Sequence, residues 1–144
     1  LRGMSFPTAL PDLLAELHSM DLWPEEDAMD YEPLSEFWPP EENADWFRAW
    51  TGNRELDGGE FRVFAGDGTG GVVAFWLVAP DREVEAQPVV FLGSEGEIGV
   101  VALDLTALIQ LMAQGVGPCE AVCEAKQAAA AHPGFGDWID SCCR

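Results

Sequence analysis

The residues with the most chemical potential are a carboxylate trio, a glycine-rich loop, four cysteines and two histidines. Asp67, Glu95 and Glu97 sit in two short connections between apolar runs. Grouped carboxylates can bind a cation or move protons. No histidine, nucleophile or second acidic cluster stands beside them to complete a catalytic set, so solvated loop acids and a non-enzyme are expected. Gly66-Asp-Gly-Thr-Gly-Gly71 has the glycines of a phosphate loop. A phosphate loop needs a following helix and usually a lysine; here an apolar strand pattern follows and Asp67 would repel phosphate, so a turn is expected. Cys119 and Cys123 share a helix face, and Cys142 and Cys143 are adjacent. They lack a Cys-x2-Cys or paired-histidine spacing, and thiols without metal or cofactor are expected. His18 lacks a carboxylate or cysteine spaced to meet it and is expected at a helix surface.

These residues need elements to position them. Residues 8–20 carry Leu10, Leu13, Leu14 and Leu17 at helical spacing, with Pro11 suited to the first turn. Residues 21–40 are broken by prolines and mix acids with Trp23, Tyr31, Phe37 and Trp38. Such a segment is either a loop pinned by aromatics or an acidic contact surface. Residues 40–51 read as a second helix with Trp46, Phe47 and Trp50 on one face, ended by Gly52. Apolar runs at 61–65, 72–78, 89–92 and 98–103 read as a sequential antiparallel meander. Alternating connections then put the Asp67 and Glu95 loops at the same end of the sheet. Strands 72–78 and 89–92 are apolar at consecutive positions, which predicts cover on both faces. Asp104 suits the N-cap of a helix over 105–114, and Pro118 opens another through the alanines to 131.

The totals constrain the reading further. The 144 residues fit a single domain over 1–144, with N-terminal helices in 8–52, a sheet core in 61–103 and C-terminal helices in 105–132. No apolar run approaches the roughly 20 residues of a membrane helix, and the opening residues lack a signal-peptide pattern. Met4 is expected as the native start, and a cytoplasmic setting with reduced thiols is expected. Twenty-six acids against 7 Lys and Arg give a net charge of −19. That field repels nucleic acid and anionic membranes and attracts a basic protein. The expected contact acids are Glu25, Glu26, Asp27, Asp30, Asp67, Glu95 and Glu97. The rival site is a small-ligand groove at the same end, lined by Phe64, Trp76 and Phe91. The oligomeric state stays open.

One stretch resembles a known family. Phe64-Ala-Gly-Asp-Gly-Thr-Gly-Gly71, Ala74-Phe-Trp-Leu77, Pro88-Val-Val-Phe-Leu-Gly-Ser-Glu-Gly-Glu97 and Val100-Val-Ala-Leu-Asp-Leu105 resemble the SUKH superfamily of SMI–KNR type. The segment 108–115 stands where that family has a Leu-rich helix. Upstream only Trp46-Phe47 and Trp50-Thr-Gly52 match, and residues 119–144 do not. The resemblance implies an α+β domain, an antiparallel-rich meander of four to six strands flanked by helices. It also implies a non-catalytic protein-binding role, chiefly immunity against polymorphic toxins, often nucleases. The alternative is a small-ligand or regulatory scaffold module.

Overall fold

The computed structural model describes residues 6–20 and 30–123. In chain order they form α1 (Asp12–Ser19), β1 (Glu32–Pro33), α2 (Pro40–Thr51), β2 (Phe61–Gly66) and β3 (Val72–Trp76), then β4 (Val89–Leu92), β5 (Ile98–Ala102), α3 (Leu105–Ala113) and α4 (Pro118–Cys123). The five strands make one antiparallel sheet in the order β1-β2-β3-β4-β5. This is an α+β fold, and the expected meander is present. β1 is an addition: Glu32 and Pro33 pair with Gly66 and Ala65 at the sheet edge.

Helices cover the sheet on both sides, which explains strands with no polar face. Phe64, Val73, Phe75, Phe91 and Val101 pack with Leu14 and Leu17 of α1 and with Leu105, Leu108 and Met112 of α3. Phe61, Val63, Ala74, Trp76, Val90 and Leu92 pack on the other side with Phe47 of α2. Phe47 is fully buried and stacks on Phe61 at 4.7 Å. A side chain of that size contributes about 1.5–3 kcal/mol when buried. Two register shifts adjust the alternation. Val63 pairs with Ala74 but Ala65 with Val73, so Phe64 is the extra residue, and both Phe64 and Ala65 join the α1 side. Likewise Val101 is extra on β5, and Val101 and Ala102 face the same layer. Such bulges bend a strand and strengthen its twist.

Local chemistry sets the helix ends. Asp104 caps α3 by accepting from Ala107 N–H at 2.8 Å. Gly52 closes α2 at φ 69°, a conformation glycine adopts without steric cost. α1 differs from its expectation: Pro11 is the N-cap residue and not part of the first turn, and Leu13 is half exposed. The return from β3 to β4 is held by the buried side chain of Gln87. Its Oε1 accepts from Val78 and Ala79 N–H, and its Nε2 donates to Ala79 and Arg82 carbonyls. The continuation of the last helix to 131 lies outside the described residues, as do Glu25, Glu26, Asp27, Trp23, His132, Cys142 and Cys143.

Candidate functional site

Two turns meet at one end of the sheet, as alternating connections require. The Ser94 hydroxyl of the β4–β5 turn donates to Thr69 Oγ1 of the β2–β3 turn at 3.0 Å. Helix α2 ties both turns down. Trp46 Nε1–H donates to Gly70 O at 3.3 Å, and Trp50 Nε1–H donates to Gly93 O at 2.7 Å. Four residues apart, the two indoles lie on one helix face and stack at 5.8 Å and 15°. Trp38 joins them, 6.4 Å from Trp46 and tilted by 54°. Its backbone N–H bonds to Val63 O, continuing the edge beyond β1. A groove of about 400 Å³ opens here, walled by Leu34, Trp38, Trp46 and the residues of the β2–β3 turn, with Glu32 and Asp67 along it.

The acids at this end divide into two kinds. Asp67 is 5% exposed and belongs to the turn. Its Oδ1 accepts from Thr69 N–H, the Thr69 hydroxyl and Gly71 N–H at 2.8–2.9 Å. The expectation of a solvated contact acid is corrected for Asp67: the side chain replaces water with turn donors. Glu97 is half-buried and accepts from Glu95 N–H, shaping the second turn. Asp30, Glu32 and Glu95 are exposed. Asp30 accepts from Gly68 N–H at 2.7 Å, and the Glu32 carboxylate has no hydrogen-bond or ion-pair partner among the described residues.

The expected groove between Phe64, Trp76 and Phe91 does not form. All three are buried, Phe64 and Phe91 on the α1 side and Trp76 on the α2 side. Trp76 pairs with Phe61 and so shares its face; only the register reveals this.

Other polar groups lie apart from the groove or have partners. His18 is half-buried, not on the surface as expected. It contacts the Tyr31 hydroxyl, and its Nδ1 lies 2.7 Å from Leu34 O. Burial pushes the His18 pKa down, against an upward pull from the Leu34 carbonyl. Burial also pushes the Tyr31 hydroxyl up. Asp30, Asp67 and Cys119 bring one ligand atom each within 4.8 Å of one another. Asp67 and Asp30 already engage backbone donors, and a trio with one sulfur and two carboxylates falls short of a closed four-ligand centre.

At the opposite end of the sheet Arg62 is buried, its guanidinium over the Phe6 ring at 3.5 Å and donating to Gly59 and Phe61 carbonyls. Burial pulls its pKa down to about 10, against the pull of Glu60 and Asp57. Arg62 and Arg82 border a cavity of about 360 Å³ with Leu10, Leu77 and Val84.

No described helix is long and apolar enough to cross a membrane. No family model matches the chain, and neither does any curated protein or solved structure.

Proposed function

We propose that the chain is a non-catalytic binding domain for a basic protein and, following the SUKH resemblance, that it neutralises a cognate polymorphic toxin such as a nuclease. The observation that carries this reading is the turn end of the sheet. There exposed carboxylates surround half-buried tryptophans on a chain of net charge −19. A nuclease active site is built to accept a polyanion, so an acidic face can occupy it or sit beside it. Aromatic anchors supply contact area at low entropic cost, and the acids speed encounter.

The test is affinity capture on the immobilised chain at low and moderate salt, followed by binding and activity assays on the purified captured protein. The expected result is one dominant basic partner whose toxic activity is lost on binding and whose affinity falls with salt. Reversing Asp30, Glu32 and Glu95 together to lysine weakens it by about tenfold or more. A blank at both salts, or an affinity indifferent to salt and to the triple reversal, removes the reading. A second reading, a small-ligand module, draws on the far-end cavity with its two arginines. A thermal-shift screen of small carboxylates would support it if Arg82→Ala abolished the shift.

A further inference from the structure

This inference rests on the basic-partner reading above and names the group recognised. We propose that the groove between Trp38 and Trp46 receives one arginine side chain of the partner protein. The two indoles line it at 6.4 Å and 54°, so their ring planes form a corner and not a flat floor. One face of the Trp46 ring already stacks on Trp50 and its Nε1–H is committed to Gly70 O, so toward the groove the ring offers aromatic surface and not a donor. The backbone N–H groups beside the groove are also committed: those of Thr69 and Gly71 to Asp67 Oδ1, and that of Gly70 to Asp67 O. Glu32, whose carboxylate has no partner among the described residues, lines the groove and is the acid open to an incoming group, because Asp67 beside it is buried with its Oδ1 engaged by the turn. Aromatic surface, one exposed carboxylate and engaged donors make a receptor for a cation and a poor one for an anion.

Size and shape favour arginine over lysine. The groove of about 400 Å³ is near the small end of ligand sites, suited to a single side chain with its apolar stem. A guanidinium is planar, stacks on an indole, forks onto a carboxylate and sheds water more easily than an ammonium. The Trp46 wall is fixed in advance, because its indole is bonded to the turn it faces, and the Trp38 backbone is anchored to β2. Preorganisation of this kind lowers the entropic cost of binding.

The test follows the tryptophan indole N–H signals of the full chain during titration with a tripeptide, Gly-Arg-Gly, blocked at both ends. The matched probes carry lysine, or citrulline, which keeps the arginine shape without its charge. The Trp38 and Trp46 signals should move saturably with the arginine peptide, about tenfold more weakly with citrulline and several-fold more weakly with lysine. Glu32→Gln, a change at an exposed position, should weaken the arginine peptide by about fivefold, while Glu85→Gln at the far end should not. Trp38→Leu should abolish the response with the fold retained by circular dichroism. No saturable shift, or equal binding of citrulline, overturns the proposal. If a captured basic protein binds wild type and Glu32→Gln alike, the groove assignment fails while the basic-partner reading stands. If no basic protein binds at all, that reading itself fails.

Discussion

At the scale of the residue, Asp67 and His18 carry the clearest consequences. Asp67 organises its turn through one oxygen, so Asp67→Ala leaves three donors without their acceptor. Urea unfolding should show a loss of about 2 kcal/mol, most of it restored in Asp67→Asn, whose amide oxygen can take the same place. His18 is held below its ordinary pKa by burial. The unfolded chain therefore takes up its proton first as pH falls through about 6.5. Stability complete above that pH is lost below it, down to the folded pKa. Burial raises Glu60, which works in the opposite sense: its contribution is complete below the ordinary carboxylate value and is lost as pH rises through its folded pKa. Comparison with His18→Gln isolates the histidine. The urea midpoint of wild type should drop more than that of the variant between about pH 7 and about pH 5.5; parallel curves would exclude the assignment. Both roles were only partly legible in the chain. An Asp before Gly-Thr in a turn is a local signal, and it is consistent with the turn expected there. The His18–Tyr31 contact spans 13 positions with no pattern between them to announce it.

At the scale of the element, what could be read was what local chemistry decides. The span of α2 was legible because Pro40 and Gly52 mark its ends, and α3 because Asp104 caps it. The strands were legible as apolar runs, but their faces were not. Phe64 is the bulged residue of β2, so alternation counted along the chain gives the wrong side beyond it, and Trp76 finds its side only through Phe61. β1 was hidden because two residues make no periodic signal, and its partner lies over 30 positions away. Two glycines separate backbone strain from crowding. Gly52 and Gly58 both have positive φ, but a Cβ at Gly52 meets open space, whereas one at Gly58 would overlap the Phe47 ring and the Asn43 amide. Gly52→Ala should cost about 1–2 kcal/mol from backbone conformation alone. Gly58→Ala adds overpacking of typically about 1–3 kcal/mol more. Equal midpoints for the two variants in urea would mean that Phe47 yields without cost.

At the scale of the whole molecule, net charge outweighs any single contact. At −19 the compact chain repels itself, and added salt should screen that repulsion. The urea midpoint should rise from about 10 mM to about 500 mM sodium chloride, with the Debye length falling from about 30 Å to a few ångströms. A falling midpoint would mean that attractive pairs dominate. The same salt should weaken capture of a basic partner. Salt then strengthens the fold while loosening the complex, and the opposed signs separate charge at the interface from charge in the fold. Composition alone made this legible. Which acids face a partner was not legible, because Asp67 and Glu95 look alike in sequence, and only the folded turns separate the buried carboxylate from the exposed one.

Helix α2 also gives the molecule an optical label of its own. Trp46 and Trp50 are near-parallel chromophores 5.8 Å apart, and each is fastened to a different turn. Transitions on rings that close couple, and where their moments cross at an angle the coupling appears as a paired positive and negative band in the tryptophan region of the far-ultraviolet circular dichroism spectrum. Releasing either turn would let one ring rotate and collapse the pair while the strands stay folded. The Trp46–Trp50 share of the signal should therefore be lost in Trp50→Phe, leaving that of the Trp38–Trp46 pair, and its loss on gentle warming ahead of the strand signal would mark the turn end as the first part of the chain to open.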